Sequence, residues 1–206
     1  TLKKKYPKNN FIPVLWLATE DHDFEEISEV YFRDKKINYS TKAKGSVGRM
    51  KLEDFKPFLD QIFKFFPTNN LAKRIKKIIT TAYKDKFTLA GATRSLIHQL
   101  FGDKGLIIID PDSHDLKKMF SSYMEDELIN NTCQECVNKT VKSIKEVYSE
   151  KYIPQVNPRE INLFHLNVNS RERIIRKGSK YILSDKNLPQ KEMLNELKEK
   201  PENFSP

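Results

Sequence analysis

A short apolar run that ends in a cluster of ionisable residues is the feature that most constrains the fold of this chain. The run covers residues 11–18 and is followed, after one threonine, by Glu20, Asp21, His22 and Asp23. A continuous apolar run of this length is typical of a strand buried on both faces, as in a parallel sheet. An amphipathic helix is predicted next, over residues 23–33. Because open parallel sheets bind ligands at the carboxyl ends of their strands, the four ionisable residues are candidate functional residues.

A second apolar run, over residues 105–109, also ends on a carboxylate, Asp110. A helix is predicted directly before it, over residues 89–101, with Thr88 as its N-cap and Gly102 at its end. Alternation of strands and helices predicts an α/β fold with a parallel sheet. Two strands that both end in carboxylates favour a shared cleft.

The charge balance favours anionic partners in general. The chain has 37 Lys and Arg against 28 Asp and Glu, a formal net charge of +9. Much of the excess is lysine scattered along predicted helices, which is typical of solvated faces, so we do not expect a nucleic-acid partner. No apolar stretch approaches the length needed to cross a membrane, and we expect a cytoplasmic protein. The chain starts without methionine and ends in a polar stretch, so we expect it to be a piece of a longer protein.

The ionisable segment at residues 20–23 has two interpretations. Carboxylates beside a histidine can hold a divalent ion, bind an amine or transfer protons. The alternative is an acidic first helical turn that satisfies the helix dipole and the free N–H groups. The histidine and the adjoining strand favour a functional role. For Asp110 the two interpretations are balanced, because aspartate is also common in the turn that follows a strand.

Four arginines form a second candidate group: Arg49, Arg159, Arg171 and Arg173. Arg49 lies in a loop that also contains two glycines, and Arg171 and Arg173 would face the same side of a strand. Guanidinium groups bind carboxylates and phosphates bidentately, which suits a metabolite with several carboxylates. Ordinary surface salt bridges to Glu160 and Glu172 explain the same residues equally well.

Two further patterns limit the chemistry. Cys133 and Cys136 form a lone C-x-x-C, without the second pair that a zinc site needs, and we interpret them as ordinary, partly buried cysteines. No metal-ligating residue is assigned. The chain contains neither G-x-G-x-x-G nor G-x-x-x-x-G-K-[ST], so a nucleotide would bind to this sheet without either phosphate-loop signature.

Five segments, in order along the chain, carry a resemblance to a known family. They read PVLWLATEDHDFEEI, ATRSLIHQLFGDKGLIIIDPD, PQVNPREINLFHL, RERI and PENFSP. In these segments the chain resembles the cysteine ligases of bacillithiol biosynthesis, the BshC family. The EDHD and REINLF stretches carry most of the resemblance, and the matches span nearly the full 206 residues.

The resemblance implies a Rossmann-like parallel sheet with helical insertions, incomplete relative to the full-length family. Residues 1–50 and 84–183 would form part of the Rossmann-like core, and residues 51–83 a helical connecting segment. Residues 184–206 would form a polar segment that leads to the rest of the protein. The family also has a coiled-coil part further along, through which an oligomer would form.

The resemblance also implies an activity, the addition of L-cysteine to glucosaminyl-malate through an amide bond, the last step of bacillithiol biosynthesis. ATP with Mg²⁺ is the expected cofactor, because a carboxylate and an amine do not react with each other at neutral pH. The catalytic residues would be His22, Asp21, Asp23 and Glu20. The substrate-binding residues would be Arg49, Asp110, Arg159, Arg171 and Arg173.

Two other classes of function stay open at this point. A metal-dependent phosphohydrolase or nucleotidyl-transfer enzyme would use the carboxylates of residues 20–23, and it would bind Mn²⁺ or Mg²⁺ tightly without an amino-acid ligand. A non-catalytic, basic nucleic-acid-binding module would show an affinity that falls steeply with salt. The scattered lysines weigh against this second alternative.

Overall fold

The computed structural model describes residues 2–32, 34–53, 55–84, 87–155, 157–184 and 186–206. The chain forms two compact units, Thr1–Pro111 and Asp112–Pro206. The division made from the sequence, which groups residues 1–50 with 84–183, stays a prediction.

The first unit combines a parallel strand pair with a group of helices. Its elements are α1 (Leu2–Lys5), β1 (Val14–Trp16), α2 (Phe24–Ile27), β2 (Glu29–Phe32), β3 (Lys35–Asn38), α3 (Phe55–Phe63), α4 (Asn70–Ala82), α5 (Leu89–Phe101) and β4 (Ile107–Ile109), with 3₁₀ helices at Val47–Arg49 and Gly102–Lys104. β1 and β4 pair in parallel, with Val14 opposite Ile107 and Trp16 opposite Ile109. The predicted α/β fold with a parallel sheet is therefore confirmed.

The predicted burial of these two strands on both faces is wrong. Val14 is 52% exposed, Trp16 66% and Ile107 47%. The two apolar runs correctly predicted the positions of the strands in the sequence. They carry no information about which elements cover a strand, because that depends on parts of the chain remote in sequence. Among the described residues this sheet contains β1 and β4 alone.

The predicted helix over residues 23–33 is also wrong beyond its first turn. α2 ends at Ile27, and β2 then pairs with β3 in an antiparallel hairpin, with Phe32 opposite Lys35. Val30, Tyr31 and Phe32 are strongly strand-forming residues, and cross-strand pairing outweighs the helical spacing of the apolar residues. Arg33, the last residue of the predicted helix, lies outside the described residues.

The helices of the first unit pack around an aromatic core. α5 has the predicted bounds, and the Thr88 hydroxyl accepts a hydrogen bond from the Gly91 N–H at 3.1 Å, which confirms the predicted N-cap. Gly102 is the C-cap of this helix, as predicted. The 3₁₀ helix that follows has Gly105 as its C-cap, whose φ of 78° is in the left-handed region that favours glycine. The buried core residues are Leu52, Phe55, Leu59 and Ala92, and Tyr39, Phe58 and Tyr83 pack against them.

The second unit is an α+β arrangement with two small antiparallel sheets. Its elements are α6 (His114–Asn130), α7 (Thr132–Val147), β5 (Phe164–Leu166), β6 (Arg171–Arg173), β7 (Ile175–Lys177), β8 (Lys180–Ile182), β9 (Asn187–Pro189), α8 (Gln190–Glu199), a 3₁₀ helix at Pro201–Asn203 and β10 (Phe204–Ser205). The strand orders are β10-β5-β6 and β7-β8-β9. Residues 184–206 contribute Met193, Leu197 and Phe204 to its core, each at most 1% exposed. Within the described parts of both units, no helix is long and apolar enough to span a membrane.

A largely buried hydrogen bond joins β5 to α8 in this unit. His165 is 1% exposed, and its Nε2 lies 2.8 Å from a carboxylate oxygen of Glu196. Asn203 donates to the same oxygen at 3.3 Å, and the Lys186 ammonium lies 3.4 Å from the other. Burial alone would raise the pKa of Glu196. The hydrogen bonds from His165 and Asn203 and the charge of Lys186 outweigh burial and hold this pKa below its ordinary value of 4.5.

We predict that this carboxylate stabilises the fold at neutral pH and that the contribution disappears in acid. Its pKa is lower in the folded than in the unfolded chain, so its contribution is fully present above about pH 4.5 and is lost as the pH falls through the folded pKa. Denaturant unfolding between pH 3 and 7 should show a shallower acid-side slope for Glu196→Gln than for the wild type. Glu199→Gln, at an exposed position of the same helix, is the control and should keep the wild-type slope. Equal slopes for all three proteins would contradict the assignment.

Candidate functional site

The carboxyl ends of β1 and β4 are tied together by one side-chain hydrogen bond. Thr19 follows β1 and is 4% exposed, and its hydroxyl donates to Asp110 Oδ1 at 2.6 Å. Asp110 directly follows β4. The two strands are parallel, so their ends meet at one edge of the sheet, where ligands of open parallel sheets bind. The Thr19–Asp110 hydrogen bond therefore brings the residues that follow the two strands together at this edge, and the shared cleft stays a prediction.

A loop from the middle of the unit crosses this edge. The N–H of Gly48 donates to the Thr19 carbonyl at 2.9 Å, and the N–H of Val47 donates to the Asp21 carbonyl at 2.6 Å. A Cβ on Gly48 would lie 2.6 Å from the Thr19 carbonyl oxygen and 2.4 Å from the Thr19 Cβ, so only glycine fits there. This close approach fixes the 3₁₀ turn that carries the half-buried Arg49.

The ionisable residues that follow Thr19, from Glu20 to Asp23, form a largely exposed turn at the same edge, which we call the acidic turn. The side chains of Asp21, His22 and Asp23 are 48%, 50% and 55% exposed, and Glu20 is half-buried. His22 Nδ1 lies 3.5 Å from Asp21 Oδ1, and its Nε2 lies 3.7 Å from Asp23 Oδ1. Asp23 stands at the N-cap of α2 without a side-chain capping bond, so the helix-capping alternative is not observed for it.

The geometry of this turn suits cation binding or proton transfer. One ligand atom from each of Asp21, His22 and Asp23 can be chosen so that all three lie within 4.8 Å of one another. Carboxylate oxygens are the ligands that Mg²⁺ prefers, and imidazole exchanges protons near neutral pH. The main-chain N–H of His22 also donates to Asp21 Oδ1 at 2.7 Å, which orients that carboxylate.

The four candidate arginines are divided between the two units. Arg49 and Asp110 lie in the first. In the second, the guanidinium groups of Arg159 and Arg171 lie over the Phe164 ring, and Arg173 is directly opposite Phe164 in the sheet. None of these three arginines pairs with Glu160 or Glu172 among the described ion pairs. The salt-bridge alternative for these three arginines is therefore not what the structure shows.

Three residues that organise these groups were not singled out from the sequence: Thr19, Gly48 and Phe164. Thr19 and Phe164 belong to apolar or flanking stretches that read as ordinary structure, and their neighbours across the fold give them their roles. Gly48 carried a partial signal, because it is one of the two glycines in the loop that contains Arg49.

The two cysteines lack the features of a reactive pair. Both are free and exposed. Desolvation of the Cys133 thiol and its hydrogen bond with the Glu127 carboxylate raise the pKa of this thiol to about 11, so it stays protonated at neutral pH. The raised pKa agrees with their interpretation as ordinary cysteines, but the prediction that they are partly buried residues is wrong, because both are exposed.

Comparison with known proteins shows which class of domain the chain forms. The model of a family described as "Bacillithiol biosynthesis BshC, N-terminal Rossmann-like domain" matches residues 1–206, the whole chain. This domain class agrees with the parallel strand pair and with the candidate site at its carboxyl edge. The chain belongs to the BshC family.

Individual relatives bear the name of the same family. The chain is 42% identical to a protein named "Putative cysteine ligase BshC" from Flavobacterium johnsoniae, over all of this chain and 38% of the relative. It is 40% identical to the protein of the same name from Flavobacterium psychrophilum, with the same coverage, and 37% identical to that from Christiangramia forsetii, over 39% of that relative. The chain thus spans about two fifths of the length of the curated relatives it matches.

We predict that Gly48→Ala destabilises the first unit. The new methyl group would overlap backbone atoms of Thr19 that cannot move without disturbing the end of β1, and overpacking of this kind costs about 1–3 kcal/mol of unfolding free energy. The matched control is Gly91→Ala, whose Cβ would come no closer than 3.4 Å to any neighbouring atom and which lies in a helix, where alanine is favoured. Denaturant unfolding should show a loss for the first variant and none for the second. Equal stability of both variants would contradict the close approach.

Proposed function

We propose that this chain carries part of the active site of a ligase that adds L-cysteine to glucosaminyl-malate. The observation that carries the proposal is the match to the BshC N-terminal domain along the whole chain, together with the acidic turn and Asp110 at one carboxyl edge of the parallel strands. The metal-dependent phosphohydrolase and the nucleic-acid-binding module find no support, because the relatives are named as cysteine ligases.

The reaction joins the amine nitrogen of the glucosaminyl group to the carboxyl carbon of cysteine. One carboxyl oxygen of cysteine must leave, and the nitrogen must give up a proton. ATP with Mg²⁺, when bound, supplies the activation that makes this oxygen a leaving group. The task of the protein is to hold the reactants, to exclude water and to move the proton.

The residues of the acidic turn suit these tasks. His22 is assigned the proton transfer at the amine nitrogen, since imidazole takes up and releases protons near neutral pH. Asp21 and Asp23 offer oxygens for Mg²⁺ or for the ammonium group of cysteine, and Glu20 adds a further carboxylate. Arg49 is assigned to a carboxylate or phosphate of the reactants.

Substitution of this turn in the full-length protein tests the proposal. Asp21→Asn and His22→Ala should each lower the rate of cysteine addition by about 10²-fold or more, the usual contribution of general acid–base catalysis. Both side chains are about half exposed, so the variants should fold like the wild type. The control is Asp103→Asn, since Asp103 is 71% exposed and forms an ion pair with Lys104. The assay is product formation from glucosaminyl-malate, cysteine and ATP–Mg²⁺, and wild-type rates in both turn variants would refute the site.

A further inference from the structure

Two arginines of the second unit share one aromatic ring. The guanidinium carbon of Arg171 lies 3.8 Å from the centroid of the Phe164 ring, and that of Arg159 lies 5.5 Å from it. Both distances are within the range of cation–π attraction. The ring therefore holds two cationic groups at one place, although the two residues are twelve positions apart in the sequence.

A third arginine belongs to the same face of the sheet. β5 and β6 pair antiparallel, with Phe164 directly opposite Arg173 and with Leu166 opposite Arg171. Directly opposed residues of an antiparallel pair leave the sheet on the same side. Arg171 and Arg173 are two apart, so both emerge on the side of Phe164. We call Phe164, Arg159, Arg171 and Arg173 the arginine cluster.

No described carboxylate neutralises this cluster. Among the ion pairs of the described residues, none involves any of its three arginines. Arg171 makes one long hydrogen bond, to the Pro206 carbonyl at 3.4 Å, and its buried Nε has no hydrogen-bond partner among the described residues.

Glu172, which lies between Arg171 and Arg173 in the sequence, bonds to other groups and not to these arginines. It lies opposite His165 and so on the other face of the sheet. Its oxygens accept hydrogen bonds from the Ser170 hydroxyl at 2.7 Å and from the Ser184 N–H at 3.0 Å. The Ser170 bond outweighs partial burial and holds the pKa of Glu172 below its ordinary value, so its charge is satisfied by neutral groups.

The cluster is held on a rigid support. β5 is the central strand of its sheet, between β10 and β6. On the opposite face His165 is 1% exposed and bonds to Glu196, and Leu163 and Ile174 lie in the core of the unit. Phe164 therefore has a fixed position, and a site with positioned cations needs little ordering when an anion binds.

We propose that the arginine cluster of the second unit binds the two carboxylates of a malyl group. The choice of this ligand rests on the proposed function. In that reaction the new amide forms on the glucosaminyl nitrogen, so both malyl carboxylates stay ionised in the substrate and in the product. A dianion needs more than one cation, and guanidinium groups bind carboxylates through two parallel hydrogen bonds. Grouped arginines without acidic partners meet this requirement.

The test measures substrate affinity and turnover in the full-length protein. Arg159→Gln and Arg171→Gln should each raise the KM for glucosaminyl-malate about tenfold or more, the usual effect of losing a charged hydrogen bond, with a much smaller effect on kcat. The KM values for cysteine and for ATP should stay unchanged. Arg74→Gln, which removes the same charge from an exposed position of α4, is the control and should change none of these constants.

A second measurement separates this inference from the proposed function. Calorimetry with L-malate alone should show saturable binding to the wild type and to Arg74→Gln, and binding about tenfold weaker or more to Arg171→Gln. This result would support carboxylate binding at the arginine cluster even if the full-length protein formed no amide. Arg159 is exposed, so Arg159→Gln keeps the test valid if Arg171→Gln fails to fold. A rise in the KM for ATP instead would assign the cluster to phosphate, and unchanged malate binding in both variants would overturn the proposal.

Discussion

The hydrogen bond from Thr19 to Asp110 is the contact on which the candidate site depends. β1 and β4 have three residues each, so the ladder between them is short. The bond between their carboxyl ends fixes where the chain turns after each strand. The Thr19 carbonyl then accepts the Gly48 N–H, and the Asp21 carbonyl accepts the Val47 N–H. The acidic turn, Asp110 and Arg49 owe their common place in the first unit to this small set of bonds.

The formal net charge of +9 does not reveal that the chain has two local groups of opposite charge, one of carboxylates and one of arginines. The first unit exposes a turn of carboxylates beside His22. The second places Arg159 and Arg171 over the Phe164 ring and Arg173 opposite Phe164 in the sheet. Each group is of the kind that binds a charged reactant, a cation in one case and a dianion in the other. The lysines that produce most of the net charge are spread along helices, so the overall charge says little about the ligand.

Local sequence signals predicted local structure well. The cap at Thr88 and the bounds of α5 follow from residues next to them, and both were confirmed. The helix predicted over residues 23–33 fails because β3 pairs with residues 29–32, a contact that helical spacing does not reveal. The carboxylates that end both strands could be recognised from the sequence. The Thr19 bond and the Phe164 support could not, because each depends on a partner that is set by the fold.

A crystal structure of the full-length protein with the cysteine adduct of glucosaminyl-malate bound would test the central claim most directly. The amide of this product marks the place where the bond forms, whatever the route of activation. The account predicts that the amide lies in contact with His22, Asp21 or Asp110 at the carboxyl edge of β1 and β4. An amide bound out of contact with all of these residues would contradict it.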